Sequence, residues 1–340
     1  MLARHGIADR ILARGKAIEG MLVTGAPNVR VRGTYGRGLT GRSLTRRELD
    51  QFLIEAAVSA GARFQDDVRV AGPIVDETSG VKSVRGATLV ARDRRPMRVP
   101  ALVTIAADGR RSPLAFGLGL AHHPASPRRW ALGGYMTGVT RLDTVGEMHI
   151  RRGHYIGVAP LPDDVTNVCY VSPRPLSSPS QEDDETPGGA DMGRALLAHV
   201  RADPILRDRF DHAEIAGPVT MLGPLAVDVS VAGMQGLLLA GDAAGFVDPM
   251  TGDGLRFAIR GAELAAEVAQ QCLEEPTFEG FRTLTERRAR ELGVKYRFNR
   301  GLRGLVSSNA GVRAGTLGAR VAPAALRRII RYAGDESLVP

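Results

Sequence analysis

The sequence predicts an α/β fold with a parallel-sheet core, a second and mostly antiparallel region, and a helical C-terminal tail. Three stretches carry that expectation. "LLLAGDAAGFVDPMTGDG" (residues 237–254) is a short apolar run that breaks at Gly-Asp, turns again on glycine and leads into a helical pattern. "SLTRRELDQFLIEAAVSAGA" (43–62) is a helix followed by strand-like runs. Residues 130–172 read as strands joined by turns. A helix feeding strands, and later a strand feeding a helix, suggests a layered α/β domain with an added sheet between them.

Taken in order, residues 1–14 are the first helix candidate, with Leu2, Ile7, Ile11 and Leu12 at partial helical spacing. The next helix is clearer. Thr45 is its cap, and Glu48 stands three residues later, the spacing of a capping box. Leu49, Phe52, Leu53, Ala56, Ala57 and Ala60 form the apolar stripe, and Gly61 is the stop. "ARFQDDVRVAGPIVDE", "VKSVRGATLVARD" and "RRPMRVPALVTIAADG" follow as strands. The second stranded region contains "WALGGYMTGVTRL", "GEMHIRRGHYIGVAPL" and "VTNVCYVSP". Residues 173–191, "PRPLSSPSQEDDETPGGAD", read as a mobile linker, with Asp191 capping a short helix of Met192, Leu196, Leu197 and Val200. From Asp253 onward Leu255, Ala258, Ile259, Ala262, Ala265, Ala266 and Ala269 recur at helical spacing. The tail from Phe278 is helical and basic, and Pro323 suits a first helical turn.

Composition narrows the class. The 340 residues are 44% hydrophobic and 24% charged, an ordinary globular balance with enough chain for two domains. No apolar run reaches the ~18 residues of a spanning helix, and "MLARHGIADRILARG" lacks a secretory apolar core. A cytoplasmic location is the expectation. Cys169 and Cys272 are the two cysteines, too far apart in sequence to suggest a disulfide scaffold. The net charge of +8 is spread among scattered arginines, with 5% aromatic residues and no basic–aromatic interleaving, so nucleic acid is not the expected partner. His122 and His123 lack a helical ligand pair to make a metal site.

The chemistry lies at 237–254. A short apolar strand belongs in the centre of a sheet, and Gly241 lets backbone approach a ligand closely. Asp242 follows at the strand's carboxyl end, where open α/β sheets bind ligands, and can accept hydrogen bonds from ribityl hydroxyls. The second turn, "DPMTGDG", opens a helix whose unpaired N–H groups suit the N1 and C2 carbonyl side of a flavin. Gly252 and Gly254 would let a flat ring lie on the backbone. Asp253 could instead simply cap the helix.

These motifs resemble those of the FAD-dependent aromatic hydroxylases and, more closely, the geranylgeranyl-reductase-like flavoproteins. "GDAAGFVDPMTGDG" is similar to their carboxyl-proximal FAD motif, Gly-Asp-Ala-Ala-Gly followed by Asp-Pro-x-x-Gly-x-Gly. The resemblance implies that Asp242 contacts the ribityl chain, with Gly241 and Ala243 as further cofactor-binding residues, while Pro249, Gly252, Asp253 and Gly254 lie by the isoalloxazine ring. "AADGRRS" is similar to the family's middle motif, which places Asp108 and Gly109 near the cofactor. "TRRELD" resembles the segment whose arginine reaches FAD, here Arg46 in preference to Arg47. "GHYIGVAPLPDDVTNVCYV" resembles the substrate-domain strand pair, with Val158 where the family often has an aromatic. Trp130, Tyr135, Met136, His149, His154, Tyr155 and Tyr170 either line a pocket there or fill the core.

The similarity runs over most of residues 1–275 and departs from the family in one respect. No strand–Gly-x-Gly-x-x-Gly–helix unit is present to hold the pyrophosphate, and "GRGLTGRS" (36–43) opens into the wrong helix. A wrongly assigned start is the favoured explanation, ahead of a truncated gene or a partner that supplies the missing piece.

The implied fold is an incomplete FAD-binding, glutathione-reductase-like Rossmann-type domain. Its parts would be residues 1–118, a mostly β substrate domain over 119–230, a final FAD-domain strand and helix over 231–275, and a helical region over 276–340. The implied function is FAD-dependent reduction of an isoprenoid double bond, with NAD(P)H or another external donor and a hydrophobic small-molecule substrate. The alternatives are FAD-dependent hydroxylation of an aromatic or polyketide-like substrate, and a non-catalytic remnant or interaction module. The Trp-x-Trp-x-Ile-Pro pattern of the halogenating branch is not found. Arg327, Arg328 and Arg331 beside Leu326, Ile329 and Ile330 suit either peripheral contact with an anionic membrane or, first, packing on the protein.

Overall fold

The computed structural model describes residues 2–25, 29–36, 38–78, 80–92, 95–175 and 189–333; residues 176–188 of the expected linker lie outside these. The chain divides into two units. The first comprises residues 63–126 and 225–301, the second residues 2–62, 127–224 and 302–340.

The second unit opens with a helical turn (Leu2–His5) and α1 (Ala8–Arg14). Gly6, at φ +68°, separates them, so the helix expected over 1–14 is in two pieces. β1 (Lys16–Ile18), β2 (Gly20–Gly25), β3 (Val29–Thr34) and β4 (Gly41–Ser43) follow. The sequence reading contains none of these strands. Burial alternates in β2 and β3, but three of the inward positions are Gly20, Thr24 and Gly33, which hides the period-two apolar signal. α2 (Arg46–Ser59) starts with the expected box: the Glu48 N–H donates to Thr45 Oγ1 at 3.2 Å, and the Thr45 N–H donates to Glu48 Oε2 at 3.4 Å. Leu49 packs with Ile7 and Ile11, whereas Ala57 and Ala60 at the far end of the expected stripe are exposed.

The first unit begins with an antiparallel sheet of β5 (Arg69–Asp76), β6 (Ser83–Val90) and β7 (Pro96–Pro100), as the sequence predicts. β8 (Thr104–Ala106), α3 (Pro113–Gly117) and β9 (Ala121–His122) complete this segment.

Returning to the second unit, the chain forms β10 (Trp130–Thr137), β11 (Val145–Ile150), β12 (Tyr155–Pro160) and β13 (Thr166–Ser172). α4 (Gly189–Ala202), β14 (Glu214–Ile215) and β15 (Thr220–Leu222) come next. They build an eight-stranded sheet in the order β14-β10-β13-β12-β11-β2-β3, with β15 also on β10. Its core contains Leu132, Met136, Ile156, Val168, Leu196, Leu206 and Phe210. β2 runs parallel to β11, pairing Thr24 with His149, and this ladder is why residues 2–62 group with the large sheet while the sequence partition kept them with the FAD domain.

The first unit resumes with β16 (Asp228–Val229), β17 (Gly233–Met234), β18 (Leu237–Leu239), α5 (Gly254–Glu274) and α6 (Gly280–Ser307), the last running past Gly301. α5 buries Phe257, Gly261, Leu264, Ala265 and Val268. That face differs from the expected one: Leu255, Ala262 and Ala266 are exposed, because burying Phe257, Leu264 and Val268 removes more apolar area than burying alanines. α7 (Asn309–Val321) and α8 (Pro323–Ala333) belong to the second unit, where Ile330 is buried against Gly33; a Cβ there would stand 2.9 Å from Ile330 Cδ1. Among the described residues no helix is long and apolar enough to cross a membrane.

Candidate functional site

Two parallel strands set the geometry. β18 lies between β17 and β8, with Leu237, Leu238 and Leu239 opposite Thr104, Ile105 and Ala106. The Ala240 N–H extends the ladder, donating to Ala106 O at 2.9 Å. Both strands therefore end at the same edge, and the Asp108-Gly109 and Gly241-Asp242 motifs leave from it side by side. The apolar run is buried as the sequence demands, with Leu237 and Leu239 fully inaccessible.

After β8 the chain passes Asp108 and turns at Gly109, φ +82°; Ser112 then caps α3 by accepting from the Ala115 N–H at 2.9 Å. After β18 it turns at Gly241, φ +57°, into a single 3₁₀ turn over Gly241–Ala244. Phe246 is tied back to Val227 by two 2.9 Å backbone hydrogen bonds. Asp248 accepts from the Met250 N–H at 3.1 Å, which shapes the turn at Pro249–Thr251, and Gly252 at φ +73° leads to Asp253 and α5. At Gly109 and Gly252 a Cβ would meet no heavy atom within 4 Å, so left-handed backbone and not crowding is what asks for glycine. The half-buried Arg110 guanidinium is pushed below its ordinary range by burial and by Arg111, and Asp242 opposes that shift. Asp242 thus sits in the field of a cation from the neighbouring motif.

α6 backs both turns. Arg288, 7% exposed, donates through Nη2 to Ala244 O at 3.0 Å and to the Tyr296 hydroxyl at 3.3 Å. Tyr296 in turn donates to Gly245 O at 3.2 Å and stacks on Phe257, with ring centroids 4.3 Å apart. Gly261 makes room: a Cβ there would stand 2.7 Å from Arg288 Nη1. Lower on the same face Lys295 Nζ meets Asp253 Oδ1 at 3.2 Å, and Asn299 Nδ2 donates to Asp253 Oδ2 at 3.1 Å. Burial pushes the Lys295 ammonium down and Asp253 holds it up. Three buried polar atoms here have no hydrogen-bond partner among the described residues: Thr251 Oγ1, Asn299 Oδ1 and Arg288 Nη1.

Of the ten residues singled out from the sequence, nine lie in the first unit: Asp108, Gly109, Gly241, Asp242, Ala243, Pro249, Gly252, Asp253 and Gly254. Arg46 lies in the second unit. Its exposed guanidinium pairs with Asp50 at 3.1 Å, and its backbone N–H donates to the Tyr135 hydroxyl at 3.1 Å. Asp253 is the N-cap residue of α5 without a side-chain capping bond, since its carboxylate faces Lys295 and Asn299. Sequence reasoning missed Arg288, Lys295, Tyr296 and Asn299. Their signal was available: Leu284, Arg288, Leu292, Lys295 and Asn299 recur at steps of three and four, placing polar residues on the stripe that a surface helix buries. In the second unit, Met136, His149 and Tyr155 are buried, and Tyr170 stacks between His154 and His199 at 4.9 and 4.5 Å.

A family model described as an FAD binding domain matches residues 1–289. The chain belongs to the FAD-binding domain family. The family is one of FAD-binding domains, and the mixed α/β architecture and helical C-terminal region are those expected. Over 65 residues it is 42% identical to digeranylgeranylglycerophospholipid reductase 2 of Methanothermobacter thermautotrophicus, covering 19% of this chain and 16% of that protein. Over 244 residues it is 26% identical to digeranylgeranylglycerophospholipid reductase 2 of Methanopyrus kandleri, covering 67% of this chain and 55% of that one. The chain thus spans less than two thirds of either relative. Among solved structures, a flavin-dependent brominase superimposes with a TM-score of 0.76 at 18% identity, over 98% of this chain and 80% of that one. A geranylgeranyl bacteriochlorophyll reductase-like protein of Thermoplasma acidophilum gives 0.73 at 19%, over 99% and 80%. At these identities the superpositions establish the shared fold alone.

The residues present fit the flavin end of the cofactor and not its pyrophosphate: left-handed glycines bring backbone to the edge where two parallel strands end, and unpartnered buried polar atoms lie in and behind the two turns.

Proposed function

We propose that this flavoprotein reduces carbon–carbon double bonds of an isoprenoid substrate, drawing on NAD(P)H or another external donor. The supporting observation is the sequence match to two reductases of geranylgeranyl lipids, joined to a first unit whose turns suit a flavin. FAD, when bound, would supply the redox chemistry. The chain would supply placement and charge. Asp242 and the backbone of Gly241 and Ala243 would receive the ribityl chain, with Asp108 and Gly109 beside it. Pro249, Gly252 and Gly254 would present backbone to the ring, and the start of the 21-residue α5 would favour negative charge there. Arg46 is retained as an FAD contact on the family resemblance. A hydrophobic substrate is consistent with one further feature. Residues 302–333 hold six Arg and no Asp or Glu, and α7 exposes Leu317 and Val321 beside Arg313. That combination suits peripheral contact with an anionic lipid surface.

The test is to load the protein with FAD, reduce it anaerobically and add a prenyl alkene or an aromatic acceptor. Alkene-dependent reoxidation without oxygen is the expected result. Reoxidation that needs oxygen and an aromatic substrate would move the protein to hydroxylation. Failure to retain FAD, read by absorbance, would end both readings.

A further inference from the structure

Asp253 poses a problem that its surroundings answer. Aspartate at an N-cap ordinarily turns its carboxylate onto the first amides of its own helix, satisfying them and placing a negative charge at the positive end of the dipole. Asp253 is the N-cap residue of α5, yet its side chain makes no such bond. It is 5% exposed, and both carboxylate oxygens point to α6: Oδ1 to Lys295 Nζ at 3.2 Å and Oδ2 to Asn299 Nδ2 at 3.1 Å. Lys295 is itself 6% exposed and Asn299 3%. A lysine and an asparagine are expensive residues to bury, and here they take a carboxylate away from the place where it would otherwise settle.

We infer that Lys295 and Asn299 are positioning residues for the cofactor turn: they hold the Asp253 carboxylate off the opening amides of α5 and neutralise it. This rests on the flavin reading above. The consequence is electrostatic. The same amides that an Asp253 cap would occupy are those proposed to face the N1 and C2 carbonyl side of the ring, where negative charge grows on reduction. An acid left free to cap would compete for them and repel that charge. Lys295 and Asn299 remove the competitor, and the neighbouring Arg256 adds positive potential on the Lys295 side. The pair would therefore act on the cofactor's preference for its reduced form more than on its bare affinity. Neither residue needs to touch FAD.

The experiment compares the FAD-loaded protein with K295M, N299L, D253N and the D253N/K295M double variant. Two readouts are taken: the FAD dissociation constant, and the midpoint potential measured with a reference dye. K295M is expected to bind oxidised FAD less tightly and to lose at least tenfold in preference for the reduced cofactor, about 30 mV more negative for a two-electron couple. N299L, which keeps the lysine, should shift the same way by less. D253N/K295M, with neither charge, should return to the wild-type potential. A purely structural role predicts otherwise: the single and double variants would lose affinity alike and leave the potential unmoved. Either an unmoved potential in both K295M and N299L, or a double variant no better than K295M, overturns the inference. If K295M does not fold, N299L and the double variant still decide it, because removing both charges avoids an unpaired buried acid. Wild-type protein that retains no FAD would instead defeat the flavin reading, and this inference with it.

Discussion

Each unit buries an ionic network, and the two are built to different standards. In the second unit Arg209 grips Glu147 through two 2.7 Å bonds, and Glu147 meets His149 Nε2 at 2.9 Å. His149 Nδ1 meets Thr24 Oγ1 at 2.9 Å, Thr24 accepts from Arg151 at 3.1 Å, and Arg151 reaches Asp203 at 2.6 Å. With Glu147 ionised, Nε2 is the donor to it, and Nδ1 and the Thr24 hydroxyl share the other hydrogen bond. None of these side-chain atoms lacks a partner. In the first unit the cluster of Asp253, Lys295, Asn299, Thr251 and Arg288 leaves three buried atoms unpartnered. A closed network spends its polar groups on specifying one fold, whereas an open one next to left-handed glycines supports the proposed cofactor site.

The comparison breaks first at Glu147. Replacing it by glutamine leaves Arg209 buried without its counter-charge, and E147Q should lose about 3–5 kcal/mol in urea unfolding. Trp130, the only tryptophan, lies in β10 of the same unit and reports that transition by fluorescence. A loss below about 1 kcal/mol would mean the network does not hold the sheet.

Acid tests the same point more gently. Burial alone would raise the Glu147 carboxyl, but Arg209 and His149 overcome it and hold it down at about 2 against an ordinary 4.5. Because the folded value is the lower one, this stabilisation is complete above the ordinary range and is lost as pH falls towards about 2. The expected loss is about 3 kcal/mol. Urea titrations from pH 6 to pH 2, roughly the span of the linkage, should show it in the wild type and not in E147Q.

The smallest effects sharpen the contrast. T24V strands His149 Nδ1 and takes a partner from Arg151, and should cost about 1–3 kcal/mol. T251V removes a hydroxyl that already has no partner, and should change the stability of the FAD-free protein by less than about 0.5 kcal/mol. Equal costs at the two threonines would erase the distinction between closed and open networks.

How much of this was legible depends on the range of the interactions. The α2 capping box, the parallel apolar strand at Leu237–Leu239 and both Gly-Asp turns are local devices, complete within a few consecutive residues, and the sequence displays them. β2 and β3 were invisible because Gly20, Thr24 and Gly33 occupy inward positions; what fills that space, Ile330 against Gly33 and His149 beside Thr24, comes from about 300 and 125 positions along the chain. Asp253 was readable as a cap or, by resemblance, as a residue beside the ring, but its partners Lys295 and Asn299 were not, since they stand 42 and 46 residues away.

By itself, then, the sequence displayed α2, α5, the strands β5–β7 and β10–β13 and the apolar run of β18, because periodicity and capping are properties of neighbouring residues, and its motifs pointed to FAD by resemblance. Tertiary structure alone decided which acids are neutralised, which hydroxyls are satisfied and which face of α5 is buried. Those outcomes depend on what packs across from a residue, and no local pattern encodes the distance between a carboxylate and an amine on a different helix.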